Sequence, residues 1–164
     1  MKDFSKRQFR IADSSSEVKA AYTGYLIFAC IGYLTFVLLA VLRVGPGWTD
    51  IVVHYRGSEA EGAFPRAFGQ MLEEAHFHAF IEGVTLLVLT HLFVATSVGA
   101  RAKLVVISLA FGGTLADLAS PWLVRYVAPE FALLQLAAWL VMTASAVVLI
   151  WVPLYEMWMK GRTR

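Results

Sequence analysis

The chain has one cysteine among 164 residues, Cys30, set in the middle of an apolar run. A lone thiol excludes an internal disulfide, a CxxC metal or redox site and a CxxCH c-type haem attachment. Charge is scarce as well: 16% of the residues are charged and 59% are hydrophobic. A soluble domain carries about 25% charged and about 45–50% apolar residues, so the balance points to a membrane protein. There is no nucleotide-binding glycine motif, no internal repeat, no HExxH pair and no low-complexity tract, and no nucleic-acid partner is expected. The first 19 residues are basic and polar and lack the short apolar core and small-residue cleavage site of a signal peptide, so the first hydrophobic run is expected to be retained.

Long apolar runs are what the sequence does have. Four segments, 20–42, 75–100, 104–124 and 131–155, meet the length of about 20 residues that a bilayer-spanning helix needs. Only helices and closed barrels satisfy every backbone group in lipid, and continuous runs this long exclude barrel strands. The short connections 101–103 and 125–130 make neighbouring helices antiparallel and adjacent. The expected fold is all-α: a polytopic membrane protein, a four-helix up-down-up-down transmembrane bundle over 20–158. It is flanked by an N-terminal segment 1–19 and a tail 159–164. The one long connection, 44–71, opens on the turn-forming Gly45-Pro46-Gly47, and its residues 48–56 suit a short strand or helix at the interface.

Basic residues set the orientation. Lys2, Lys6, Arg7, Arg10, Lys19, Arg101, Lys103, Lys160, Arg162 and Arg164 fall on one side, ten of the fourteen Lys and Arg; Arg43, Arg56, Arg66 and Arg125 fall on the other. Both termini are therefore expected to be cytoplasmic, in a bacterial-type inner membrane.

The second span carries the chemistry. "EEAHFHAFIEGVTLLVLTHLF", Glu73–Phe93, holds three of the four histidines. Glu74, His78 and Glu82 recur every four residues and share one helix stripe, with His76 about 160° from His78. His76 and His91 are separated by about 22 Å of helical rise, so one metal ion cannot join them. Asp117, about 12 Å from the outer end of the third span, comes level with His78 and Glu82 on an antiparallel neighbour. Gly112, Gly113 and Pro121 around it allow close approach and a kink. A buried carboxylate is costly unless paired, protonated or coordinated.

Three chemistries fit this pattern. Haem b would take His76 or His78 near the outer surface and His91 near the inner one as axial ligands. Its second ligands would come from a second copy or another subunit. A transition-metal ion would draw on His54, Glu74, His78, Glu82 and Asp117, since mixed imidazole and carboxylate donors suit such ions. A proton or quinone relay would use the same Asp, Glu and His chain. Each residue also has a structural role to set against these. His91 can bond a nearby backbone carbonyl, His54 can be solvated in its loop, and Glu74 beside Glu73 suits a helix N-terminus. The residues together imply a redox-cofactor or metal-binding subunit for electron transfer in a larger respiratory or photosynthetic assembly. The alternatives are an accessory subunit without cofactor and a proton or metal transport component. With almost no extramembrane domain and no catalytic nucleophile, a self-contained enzyme is not expected. The partners are the lipid bilayer and other membrane subunits, or further copies of the chain. Reporter fusions at Gly57 and at the C-terminus should read opposite compartments; the same compartment for both overturns this topology.

Overall fold

The computed structural model describes residues 10–160. The basic residues Lys2, Lys6, Arg7, Arg162 and Arg164 lie outside the described residues. The fold is the expected all-α bundle, with four long helices, one short helix and no strand among the described residues. They are α1 (Ser16–Arg43), α2 (Trp48–Arg56), α3 (Phe68–Val94), α4 (Ala100–Tyr126) and α5 (Ala132–Trp158). All but α2 are long and apolar enough to cross a membrane, and the protein is a multi-pass membrane protein.

Helix boundaries depart from the hydropathy limits because hydrogen-bond partners, not apolar composition, end a helix. Helix α3 starts at Phe68 rather than Ala75 and stops at Val94 rather than Ala100. Its last carbonyls are capped from outside: Lys103 Nζ donates to Val94 O and Thr96 O, both at 2.7 Å, and Thr96 Oγ1 donates to Phe93 O at 2.6 Å. The turn thus falls before α4, and Arg101 and Lys103 stand on its first turns. In the long connection, residues 48–56 form α2. Its first turn is closed by Asp50, whose Oδ2 accepts from Gly47 N–H at 2.9 Å. Gly45 has φ +97°, and a Cβ there would meet Asp50 Cβ at 2.4 Å, so only glycine fits that turn.

Helices α4 and α5 form the closest pair. A Cβ on Gly113 would come within 3.1 Å of Met142 Cγ and 3.2 Å of Val141 Cγ1, so the missing side chain sets how near α5 lies. Helix α3 packs across both, while α1 rests mainly on α5. Only 6% of the most apolar window of α1 is buried, against 33% for the last span, which makes α1 the peripheral helix. Tyr25 O–H donates to Thr85 O at 3.1 Å and ties α1 to α3.

Two apolar clusters close the ends of the bundle. Ile11, Leu26, Phe93, Ala110, Leu149 and Met157 pack at the end where α1 begins and α5 finishes. Ile51 and Tyr55 of α2 pack with Met71, Val124 and Ala132 at the other. Along α3, α4 and α5 the residues His78, Glu82, Asp117, Gln135 and Trp139 fall between these clusters, so a polar layer is enclosed by apolar plugs. The end where α1 begins is also stapled: Glu156 accepts Ser97 N–H at 2.7 Å and Ser97 Oγ–H at 2.6 Å, and Trp158 Nε1 donates to Thr23 Oγ1 at 3.0 Å.

Replacing Gly113 by Val should push α4 and α5 apart and cost about 1–3 kcal/mol by overpacking. Gly112, with nothing within 4 Å of its Cβ direction, should accept Val with little change. Thermal unfolding of the two variants in detergent checks this; equal midpoints would refute the close approach at Gly113.

Candidate functional site

Asp117 is buried at 7% exposure within the membrane-spanning part of α4, nearer its C-terminal end. Its Oδ1 accepts two hydrogen bonds from α5, one from Gln135 Nε2 and one from Trp139 Nε1 at 2.8 Å. The two donors are four residues apart and so share one face of α5. Pro121 supplies the other half of the local design. A proline has no N–H, so the carbonyl four residues earlier, that of Asp117 itself, loses its helical partner. Ser120 Oγ stands 3.2 Å from that carbonyl and 2.6 Å from Gln135 Oε1, and its one proton serves them in turn. Backbone break and buried carboxylate are thus satisfied by one network.

On α3, His78 Nδ1 lies 3.0 Å from Glu82 Oε1, and the His78 ring meets Phe36 edge-on at 5.9 Å. The other carboxylate oxygen, Glu82 Oε2, is buried with no hydrogen-bond partner among the described residues. A cavity of about 200 Å³ with mixed polar and apolar walls lies at the α2 end, and His54, Arg66, Glu74, His78, Asp117 and Gln135 all line it. Arg66 and Glu74 pair within it. A second, more apolar cavity of about 490 Å³ lies deeper, between α1, α3 and the α4–α5 pair. Its wall includes Phe36, Glu82 and Met142. His78 belongs to the walls of both.

Residues marked by spacing alone therefore separate into groups. His54, Glu74, His78 and Asp117 share the α2-end cavity, with Glu82 attached through His78. His76 and His91 do not join them: both are exposed on the bundle surface, and His91 Nδ1 bonds Leu87 O at 2.8 Å. Among the described residues no three His, Cys, Asp or Glu are grouped to hold a metal ion. The reason is visible in the pairings, since Glu74 is engaged by Arg66 and Asp117 by Gln135 and Trp139. His54 is not solvated in a loop. It sits on α2, half-buried, with its ring edge-on to Tyr55 at 4.8 Å. Burial, and then the neighbouring Arg66 charge, hold its pKa below the usual 6.5. Gln135, Trp139 and Ser120 escaped the sequence reading. Their signal was a Gln and a Trp four apart near the start of the last apolar run, facing the proline-marked turn of Asp117.

A bundle of four spanning helices enclosing paired ionisable groups defines the class: a polytopic membrane protein with a polar interior layer. Residues 45–164 match a family model described as a transmembrane helical domain, and the chain belongs to that family. The matched region takes in α2 to α5. No curated protein and no solved structure matches the chain.

The His54 pKa has a consequence for stability. Its folded value is depressed, so below about pH 6.5 the unfolded chain takes up a proton that the folded one refuses. Stability should fall as pH drops from about 6.5 to the depressed folded value, then level off. Thermal unfolding across this range, in wild type and in His54→Gln, checks it; the variant should lose that component of the slope.

Proposed function

We propose that this chain is a membrane subunit that moves protons between its α2 end and the bundle interior, serving electron transfer within a larger redox assembly. One observation carries the reading: His78 lines both cavities while hydrogen-bonded to the half-buried Glu82. Imidazole changes charge within about pH 5–8, and ionisable side chains inside a membrane bundle are a functional feature by default. Proton entry is from the α2-end cavity, where His54, Glu74 and Asp117 surround His78. The inward step is His78 to Glu82, across the hydrogen bond that joins them. In this reading both termini are cytoplasmic, in a bacterial-type inner membrane, and the α2 end faces outward. That orientation is supported by the distribution of lysine and arginine.

Haem b is a second reading, and the surface exposure of His76 and His91 supports ligation shared with another copy or a neighbouring subunit. Infrared difference spectra of the protein in lipid nanodiscs test the first reading. Imidazole signals should respond to pH over about 5–8, and carboxyl signals should shift on transfer to D2O. Glu82→Gln should remove the larger part. Signals blind to D2O, or identical in the variant, overturn proton transfer through the pair. A Soret band in the same sample that shrinks in His91→Ala would move the reading to haem.

A further inference from the structure

The deeper cavity contains two features that proton transfer alone leaves unused: its volume, and the unpartnered Glu82 Oε2. At about 490 Å³ it lies within the range of about 300–1,000 Å³ typical of small-molecule sites. Phe28, Phe77 and Ile81 line it while being 77%, 64% and 49% exposed on the bundle surface. Its mouth therefore opens sideways into the bilayer between α1 and α3, and a ligand enters from lipid rather than from water. Several of the cavity's hydrogen-bonding groups are already committed. Tyr25 O–H is taken by Thr85 O. Thr143 donates to Trp139 O at 2.6 Å, so Tyr33 O–H donates to Thr143 Oγ1 at 2.8 Å. Glu82 Oε1 faces His78. On this wall Glu82 Oε2 is the fully buried oxygen without a partner among the described residues, and such a group costs about 1–3 kcal/mol or more if left unpaired.

We infer that this cavity binds the head group of a prenyl-chain quinol, one hydroxyl donating to Glu82 Oε2 and the chain leaving between α1 and α3. Three chemical arguments select this ligand. Glu82 lies about 21 Å along α3 from Phe68 and about 18 Å from Val94 at about 1.5 Å per residue. A phospholipid keeps its polar head at the interface and cannot bring it to that depth. A fatty acid would set a second carboxylate against Glu82, and like charges at close range disfavour each other. A quinol and its quinone match both states of the pair: a hydroxyl donates to the carboxylate, and a carbonyl accepts from the carboxylic acid. The flat ring fits against Phe36, which already packs edge-on to His78.

This inference deepens the proton-transfer reading and rests on it for the use made of the bound head group, yet it can fail alone. The test is titration of the protein in phosphatidylcholine nanodiscs with decylubiquinol, with decanol and decanoate as competitors. Wild type should bind one quinol per chain. Glu82→Leu should weaken binding about tenfold or more, the loss of one hydrogen bond to a charged group. Gly32→Phe should abolish it, because Gly32 lines the cavity with nothing within 4 Å of its Cβ direction, so the ring enters open space without unfolding the helix. Gly112→Phe, outside the cavity, should bind as wild type. Equal displacement by decanol or decanoate would make the cavity a site for lipid tails and overturn the proposal, as would wild-type affinity in both Glu82→Leu and Gly32→Phe. Lost quinol binding with D2O-sensitive carboxyl signals intact removes this inference and leaves proton transfer standing. Quinol binding with D2O-blind signals does the reverse.

Discussion

A carboxylate held inside a membrane bundle governs how this protein is built. Asp117 can be kept there only if donors reach it, and the donors stand on α5. That requirement brings Gln135 and Trp139 onto the facing side of α5, and the bare face of Gly113 lets the two backbones approach. Pro121 adds a second demand by freeing the Asp117 carbonyl, and Ser120 answers it while touching Gln135. In lipid, apolar burial gives helices no net reason to associate, so close packing and interhelical hydrogen bonds have to do it. The α4–α5 pair has both, and it is the closest pair in the bundle.

The remaining helices are arranged around that pair with unequal commitment. Helix α3 lays its His78–Glu82 side against the polar layer, and α2 closes the α2 end by seating Ile51 and Tyr55. Arg56 fastens it there by donating to Val124 O at 3.0 Å, and this contact uses one of the C-terminal carbonyls that α4 itself leaves unpaired. Helix α1 is held by a few side-chain bonds and leaves a lateral opening beside α3. A bundle with three tightly joined helices and one loosely applied helix has an interior accessible from the side. The cavity walls follow from that inequality.

Much of the fold was legible in the residues. Uninterrupted apolar runs dictate spanning helices because no other structure satisfies the backbone in lipid, and short connections dictate antiparallel neighbours. Helix limits were less legible. The end of α3 depends on Lys103 and Thr96 reaching the last carbonyls, and hydropathy does not record that. For the site, the four-residue spacing put Glu74, His78 and Glu82 on one stripe of α3, and each of them lines a cavity, as does Asp117. Spacing could not tell which of these groups would be occupied by neighbours. His76 looked equivalent to His78 in composition, and a helical phase of about 160° sends one to the surface and the other inward.

The sequence by itself determined that this protein crosses a membrane four times and that ionisable residues lie inside two of the spans, because both follow from local composition and helical period. The tertiary structure alone decided that Asp117 is bonded by Gln135 and Trp139, that Glu74 is engaged by Arg66, and that Glu82 keeps an oxygen without a partner. Such pairings depend on the rotation and separation of helices far apart in the chain, and those are set by interhelical packing at positions such as Gly113.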